Sequence, residues 1–184
     1  MTDMSSRLEE VFLSREEKFR GRIVTVHVDR VRLPNGAEAD REVVDHPGGV
    51  AVLPLDGDNN VLAVTQYRYP FGRATLEIPA GKLDHPGEDP GEAGLRELRE
   101  ETGAVPEEYR SLGKLLPSPG CYGETLYLYL ARGLKMESQH LDEDEFLNVE
   151  RIPFDEMVRR CLENEIQDAK TVTAVLKAKL LLNL

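Results

Sequence analysis

Along the 184 residues the spacing of apolar and polar positions changes period several times, and each change marks a different element. From Phe19 to Leu33 β-branched residues alternate with polar ones (Val24, Val26, Val28). Pro34-Asn35-Gly36 follows, then a second extended stretch from Ala37 to Asp45, so the spacing predicts a β-hairpin. No helix follows to cover it. Two strands and a short third cannot bury a core of their own. The opening unit must therefore pack on the rest of the chain or on a second copy, and a second copy is expected.

After His46-Pro47-Gly48-Gly49, Val50 to Leu55 and Asn60 to Arg68 read as strands joined at Asp56-Gly57-Asp58-Asn59. Glu92 to Thr102 carries Leu95, Leu98 and Thr102 on one helical face, with Pro90 before it and Gly103 after it. Further strands are predicted at Ser111 to Leu116, Glu124 to Ala131 and Phe146 to Ile152. Helices follow over Phe154 to Asn164 and Asp168 to Leu182, the second with Val172, Val175, Leu176 and Leu180 at helical spacing. Strands on either side of a central helix, closed by terminal helices, predict an α+β fold: a mixed sheet sandwiched between helices, with a small antiparallel β domain in front. The expected domains are 1–46 and 47–184.

Composition narrows the function. Asp plus Glu number 34 against 23 Lys plus Arg, a net charge of -11, which repels phosphate backbones and anionic lipid. Neither nucleic acid nor membrane is expected as a partner. An anionic substrate would need that field overturned locally, and a divalent cation does this most simply. Cys121 and Cys161 form no disulfide framework and no metal-ligand spacing, and Met1 to Glu10 shows no basic-then-apolar export pattern, so a cytoplasmic location is expected.

The chemistry concentrates between Gly81 and Ala104, GKLDHPGEDPGEAGLRELREETGA. On the predicted helix Glu97, Glu100 and Glu101 share one wall, opposite the Leu95, Leu98 and Thr102 face. Carboxylates so close repel one another, which costs helix stability unless a cation sits on them. Oxygen ligands with no His or Cys nearby point to a hard ion, Mg²⁺ or Mn²⁺. The plain alternative is a solvated, charge-rich face with Arg96 paired to Glu100, but that does not explain the spacing of the whole segment.

That spacing resembles the Nudix box: Gly, five residues, Glu, seven residues, Arg-Glu, an aliphatic, one residue, Glu-Glu, one residue, Gly, an aliphatic. Gly81, Glu88, Arg96, Glu97, Leu98, Glu100, Glu101, Gly103 and Ala104 take those places, with six residues instead of five between Gly81 and Glu88. The turn at Asp84-His85-Pro86-Gly87 is expected to absorb the extra one. The resemblance extends from about Phe19 to Leu182. It is to bacterial ADP-ribose pyrophosphatases of this superfamily, through Arg41-Glu42-Val43-Val44, Gln66-Tyr67-Arg68, Leu76 to Gly81, and Ser118-Pro119-Gly120, Pro119 lying 15 positions beyond Ala104.

The resemblance implies a Nudix α/β/α sandwich, a homodimer with swapped N-terminal domains, and Mg²⁺-dependent hydrolysis of ADP-ribose to AMP and ribose 5-phosphate. It also implies Glu97, Glu101, Glu100 and the Ala80 carbonyl as metal ligands, with Arg96 and Glu88 orienting them. Arg68 would suit the diphosphate, and Arg41 would contact the nucleotide. Gly120, Glu77 and Glu124 would line the substrate, the two glutamates meeting ribose hydroxyls. A glutamate of the acidic run Asp142 to Glu145 would be the general base, Glu145 before Glu143. Two other readings stay open: a different nucleoside diphosphate derivative, such as ADP-glucose, GDP-mannose or an oxidised nucleotide, or a nucleotide sensor without turnover.

Overall fold

The structure, a computed structural model, describes residues 8–85, 87–141 and 145–182. Two compact units emerge: the chain up to Pro47 together with Ser118–Glu124, and Gly48–Pro117 together with the chain from Thr125. In the first, β1 (Val11–Arg20), β2 (Thr25–Arg32) and β3 (Glu38–Asp45) form an antiparallel sheet in that order. β2 and β3 pair without a register break from Thr25↔Asp45 to Arg32↔Glu38, as the alternation predicts. β1 is a full strand where the sequence suggested a short one, because its run of charged residues hides the strand period. The buried face of β2 is not that of Val26 and Val28 but that of His27, Asp29 and Val31. His27 lies between Asp29 (2.9 Å) and Asp45 (3.0 Å), and Arg15 grips Asp29 through Nε and Nη2 at 2.7 and 2.8 Å. Val11, Phe12, Phe19 and Ile23 are all more than half exposed. Ser118–Glu124 joins this unit through backbone bonds from Val44 to Cys121 and from Gly123 to Val44, each 2.8 Å.

The second unit contains β4 (Gly49–Leu55), β5 (Asn60–Arg68), β6 (Arg73–Glu77), β7 (Ala80–Lys82), α1 (Pro90–Thr102), β8 (Ala104–Leu115), β9 (Leu126–Met136), β10 (Leu147–Pro153), α2 (Phe154–Leu162) and α3 (Ala169–Leu182). Its sheet runs β10-β5-β4-β9-β8, with β6 added to β5 and β7 to β4. β4 and β9 pair in parallel, which makes the sheet mixed. Every residue of β4 is buried, the mark of a strand covered on both faces. Ala51, Leu53 and Leu55 pack with Phe154, Met157 and Val158 of α2 and with Ala174, Val175 and Ala178 of α3. Val52, with Leu62, packs instead with Leu98 of α1. Alternation along β4 therefore sends one side-chain set to α2 and α3 and the other to α1, and each fully buried leucine contributes about 1.5–3 kcal/mol.

Three details differ from the sequence reading. β6 and β7 are too short to show a period, and β7 contains Gly81. The buried stripe of α3 is Lys170, Thr171, Ala174, Val175 and Ala178, while Leu180 is 80% exposed. Leu95 of α1 is also exposed, at 38%. The ends of α1 follow the capping rules: Asp89 accepts from the N–H groups of Gly91 (2.8 Å) and Glu92 (3.0 Å), and Gly103, with φ of 72°, donates to the Arg99 carbonyl.

Candidate active site

Glu97 and Glu101, one turn apart on α1, are buried at 8% and 2% exposure. They do not lie opposite Leu98 and Thr102, as the sequence reading had it. All four belong to one broad buried face with Ala93 and Gly94, and Glu100 sits at its rim with a side chain 40% exposed. β7 makes room for the carboxylates. A Cβ on Gly81 would stand 2.0 Å from the Glu97 carboxyl carbon, so any larger residue would displace that carboxylate, and the preceding Ala80 N–H donates to Glu101 Oε2 at 3.0 Å. Gly81 is itself fixed by pairing with Val50 of the buried strand β4.

Arg96 gathers the outer carboxylates. Its Nη1 donates to Glu97 (2.8 Å) and Glu100 (3.2 Å), and its Nη2 lies 3.1 Å from Asp84 and 3.4 Å from Glu88. Burial opposes the guanidinium charge, but Glu97, Asp84 and Glu100 outweigh it and raise the Arg96 pKa. Glu88 also accepts the Asp84 N–H at 2.6 Å, and its own N–H donates to His85 O at 3.2 Å. These bonds close a turn where the additional residue before Glu88 falls.

The two inner carboxyls are hard to ionise. Burial, followed by the charges of neighbouring acids, pushes Glu97 up to about 7 against the pull of Arg96. Burial likewise pushes Glu101 up to about 8, against the Ala80 N–H and Lys170 and with the help of Glu97 and Glu145. Glu145, half-buried before β10, thus acts electrostatically on both. Glu143 lies outside the described residues.

Beside this pair stands a chain of alternating charges. Arg68, at the end of β5, donates through Nε and Nη2 to the two oxygens of Glu77 (2.7 and 2.5 Å). Thr75 donates to Glu77 as well, and so does Lys170 of α3, which also lies 3.0 Å from Asp168. Glu77 is 2% exposed with every bond satisfied inside the protein, so it is not the ribose-facing glutamate expected from sequence. Burial opposes its charge, yet Arg68, Lys170 and Thr75 together bring it down to about 2. Arg68 remains 35% exposed, and Glu101 adds to the field that raises its pKa.

The remaining candidates belong to the first unit. Arg41 is half-buried and forked onto Glu10 (2.9 and 2.5 Å), Glu124 lies 3.3 Å from His46 Nδ1, and Gly120 borders open space.

Residues 45–175 match the model of the NUDIX domain, and residues 12–44 match that of the nucleoside diphosphate sugar hydrolase N-terminal domain. The chain belongs to the Nudix family. Over 174 residues it is 44% identical to a protein of Bacillus methanolicus named methanol dehydrogenase activator, covering 94% of each chain. Over 170 residues it is 39% identical to the ADP-ribose pyrophosphatase of Bacillus subtilis (strain 168), covering 91% of each. A crystal structure of an ADP compounds hydrolase, 26% identical, superposes with a TM-score of 0.83 over 95% of both chains.

Nudix hydrolases generally need a divalent metal ion, and the residues here fit one. The donor set is all oxygen, two of its carboxyls hold protons near neutrality that a cation would displace, and the missing Gly81 side chain leaves a cradle against Glu97. Among the described residues no three acidic, His or Cys side chains converge as a ready coordination sphere, because Glu97 and Glu100 are turned to Arg96 and Glu101 to Ala80. Asp84 and Lys170 are the members of this Nudix site that sequence reasoning missed. For Lys170 a signal existed: it stands in register with Ala174 and Ala178, on the face that must be buried. Among the described residues no helix is long and apolar enough to cross a membrane.

Proposed function

We propose that this protein is a Mg²⁺-dependent hydrolase that cleaves the diphosphate of ADP-ribose to AMP and ribose 5-phosphate, with Mn²⁺ as a possible substitute ion. The observation that carries the reading is the buried pair Glu97 and Glu101, each hard to ionise, beside an arginine whose orientation is fixed. The relatives named for ADP-ribose and ADP compounds support the substrate.

Glu97, Glu101, Glu100 and the Ala80 carbonyl would hold the cation. Bound there, it supplies charge cancellation on the diphosphate and a more acidic water. Arg96, tied to Glu97, Glu100, Asp84 and Glu88, fixes the rotamers of the ligand carboxylates, and Glu88 fixes Arg96 in turn. Arg68 Nε and Nη2 are committed to Glu77, so Nη1 is the nitrogen left to meet a phosphate oxygen. Glu145 takes the proton of the attacking water, a role its electrostatic contact with Glu97 and Glu101 supports. Arg41, Gly120 and Glu124 contact the nucleotide.

The protein works as a cytoplasmic homodimer in this reading. The exposed Val11, Phe12, Phe19 and Ile23 of the N-terminal unit support a second copy, and a monomer by light scattering would exclude it. A second reading, action on another enzyme, is favoured by the relative named methanol dehydrogenase activator.

Product analysis over ADP-ribose, ADP-glucose, GDP-mannose and NADH tests the substrate. Selective release of AMP and ribose 5-phosphate from ADP-ribose is expected. Preference for another member of the panel would overturn the assignment, and ADP-ribose bound but left intact would move the weight to a nucleotide sensor without turnover.

A further inference from the structure

Lys170 is the one buried lysine or arginine among the described residues. It is a lysine in the first turn of α3 with a side chain only 8% exposed, and its ammonium is spent on Glu77 and on Asp168, 3.0 Å away. Lysines are almost never fully buried unless paired, since removing the charge from water is costly. The same turn also fastens to the segment that follows β6. Ile78 N–H donates to Thr171 Oγ1 at 2.9 Å, and Thr171 is itself held by Asp168 through its hydroxyl (2.6 Å) and its N–H (3.0 Å). Two residues beyond Ile78 comes Ala80, whose N–H meets Glu101.

The ionic groups alternate in sign along one line: Arg68, Glu77, Lys170, Asp168. Arg68 and Glu77 alone would be a closed, neutral pair, with the arginine charge cancelled by its anchor. Lys170 divides the Glu77 carboxylate between two cations, and Asp168 balances Lys170, so Glu77 is held from its far side while it orients Arg68. Lys170 is too enclosed to touch substrate, so any influence on the reaction runs through Glu77.

We propose that Lys170 is a positioning residue for diphosphate binding: by holding Glu77 from the side opposite Arg68, it fixes the carboxylate that sets the direction of the Arg68 guanidinium. The inference rests on the reading above that Arg68 meets the diphosphate. It makes α3, which carries no residue of the Nudix box, part of the substrate-binding apparatus.

The test is a double-mutant cycle on the full-length protein with ADP-ribose and saturating Mg²⁺, using K170M, K170Q, R68Q, and each Lys170 variant combined with R68Q. K170M keeps the apolar stem and removes the charge. K170Q keeps a neutral donor for Glu77. K170M is expected to raise KM about tenfold with kcat changed by less than about threefold, K170Q to fall between it and wild type, and neither to raise KM further once Arg68 is gone. Circular dichroism melts establish folding, and should K170M fail to fold, the K170Q arm of the same cycle decides. A Lys170 that merely supports packing would, when replaced, lower kcat about as much as it raises KM and add its full effect to R68Q, which overturns the proposal. Raised KM in R68Q with wild-type KM in both Lys170 variants also overturns it while leaving the role of Arg68 intact. An R68Q protein with wild-type KM instead removes the premise, the contact between Arg68 and the diphosphate, and the proposal with it.

Discussion

Replacing Glu101 by glutamine should make the metal-free protein more stable while abolishing its activity. Glu101 is 2% exposed, and burial moves its carboxyl from an ordinary 4.5 to about 8. At pH 7 the unfolded chain has released this proton and the folded chain still holds it. The gap from 4.5 to pH 7 is 2.5 pH units, or roughly 3 kcal/mol at 1.36 kcal/mol per unit. The sign follows from linkage. An acid whose pKa folding raises contributes fully below its unfolded value and loses that contribution as pH climbs through the folded value, here from about 4.5 to about 8. Glutamine has no proton to lose, and its amide oxygen still accepts the Ala80 N–H. Urea unfolding with EDTA at pH 5 and at pH 7.5 measures the difference. The stability of E101Q relative to wild type should rise by roughly 2–3 kcal/mol between the two conditions. Saturating Mg²⁺ should restore wild type and leave E101Q unmoved, because the cation takes the place of the proton. An E101Q advantage that is equal at both pH values would refute the reasoning.

Three further outcomes follow from named contacts. G81A places a methyl 2.0 Å from the Glu97 carboxyl carbon, so steady-state assay should show kcat/KM down by about 100-fold or more in a protein that remains folded; wild-type turnover would contradict the cradle. E145Q should lower kcat by about 100-fold, with E143Q milder, and the reverse order would move the general base to Glu143. Glu77, held down to about 2, contributes stability above its unfolded value of 4.5 that is lost as pH falls toward 2. E77Q should therefore flatten the acid limb of an unfolding titration, and an unchanged limb would show that the charge chain carries no stability.

Much of this was legible in the sequence because the elements that matter have strong periods. The strands at Val50 to Leu55 and Asn60 to Arg68, the helix bounded by Pro90 and Gly103, and the Gly81 to Gly103 spacing all stand in the structure as their residues require. What escaped lay where period is weak or where contact is distant. β6 and β7 are five and three residues long, too few to show alternation. The helical wheel separated Glu97 and Glu101 from Leu98, whereas α1 buries one wide face, and burial is what raises both carboxyl pKa values. Glu77 and Lys170 are separated by 93 residues, and nothing local in either segment announces that they meet. Leu180 was counted as core from spacing alone, while the stripe of α3 runs through small residues and a lysine.

The most direct measurement is hydrolysis of ADP-ribose by the wild-type protein with Mg²⁺, with products separated and identified, repeated after chelation and with E97Q. The account predicts stoichiometric AMP and ribose 5-phosphate from wild type, and loss of turnover on chelation and in the folded variant. Turnover that survives both chelation and the loss of the Glu97 carboxylate would contradict it.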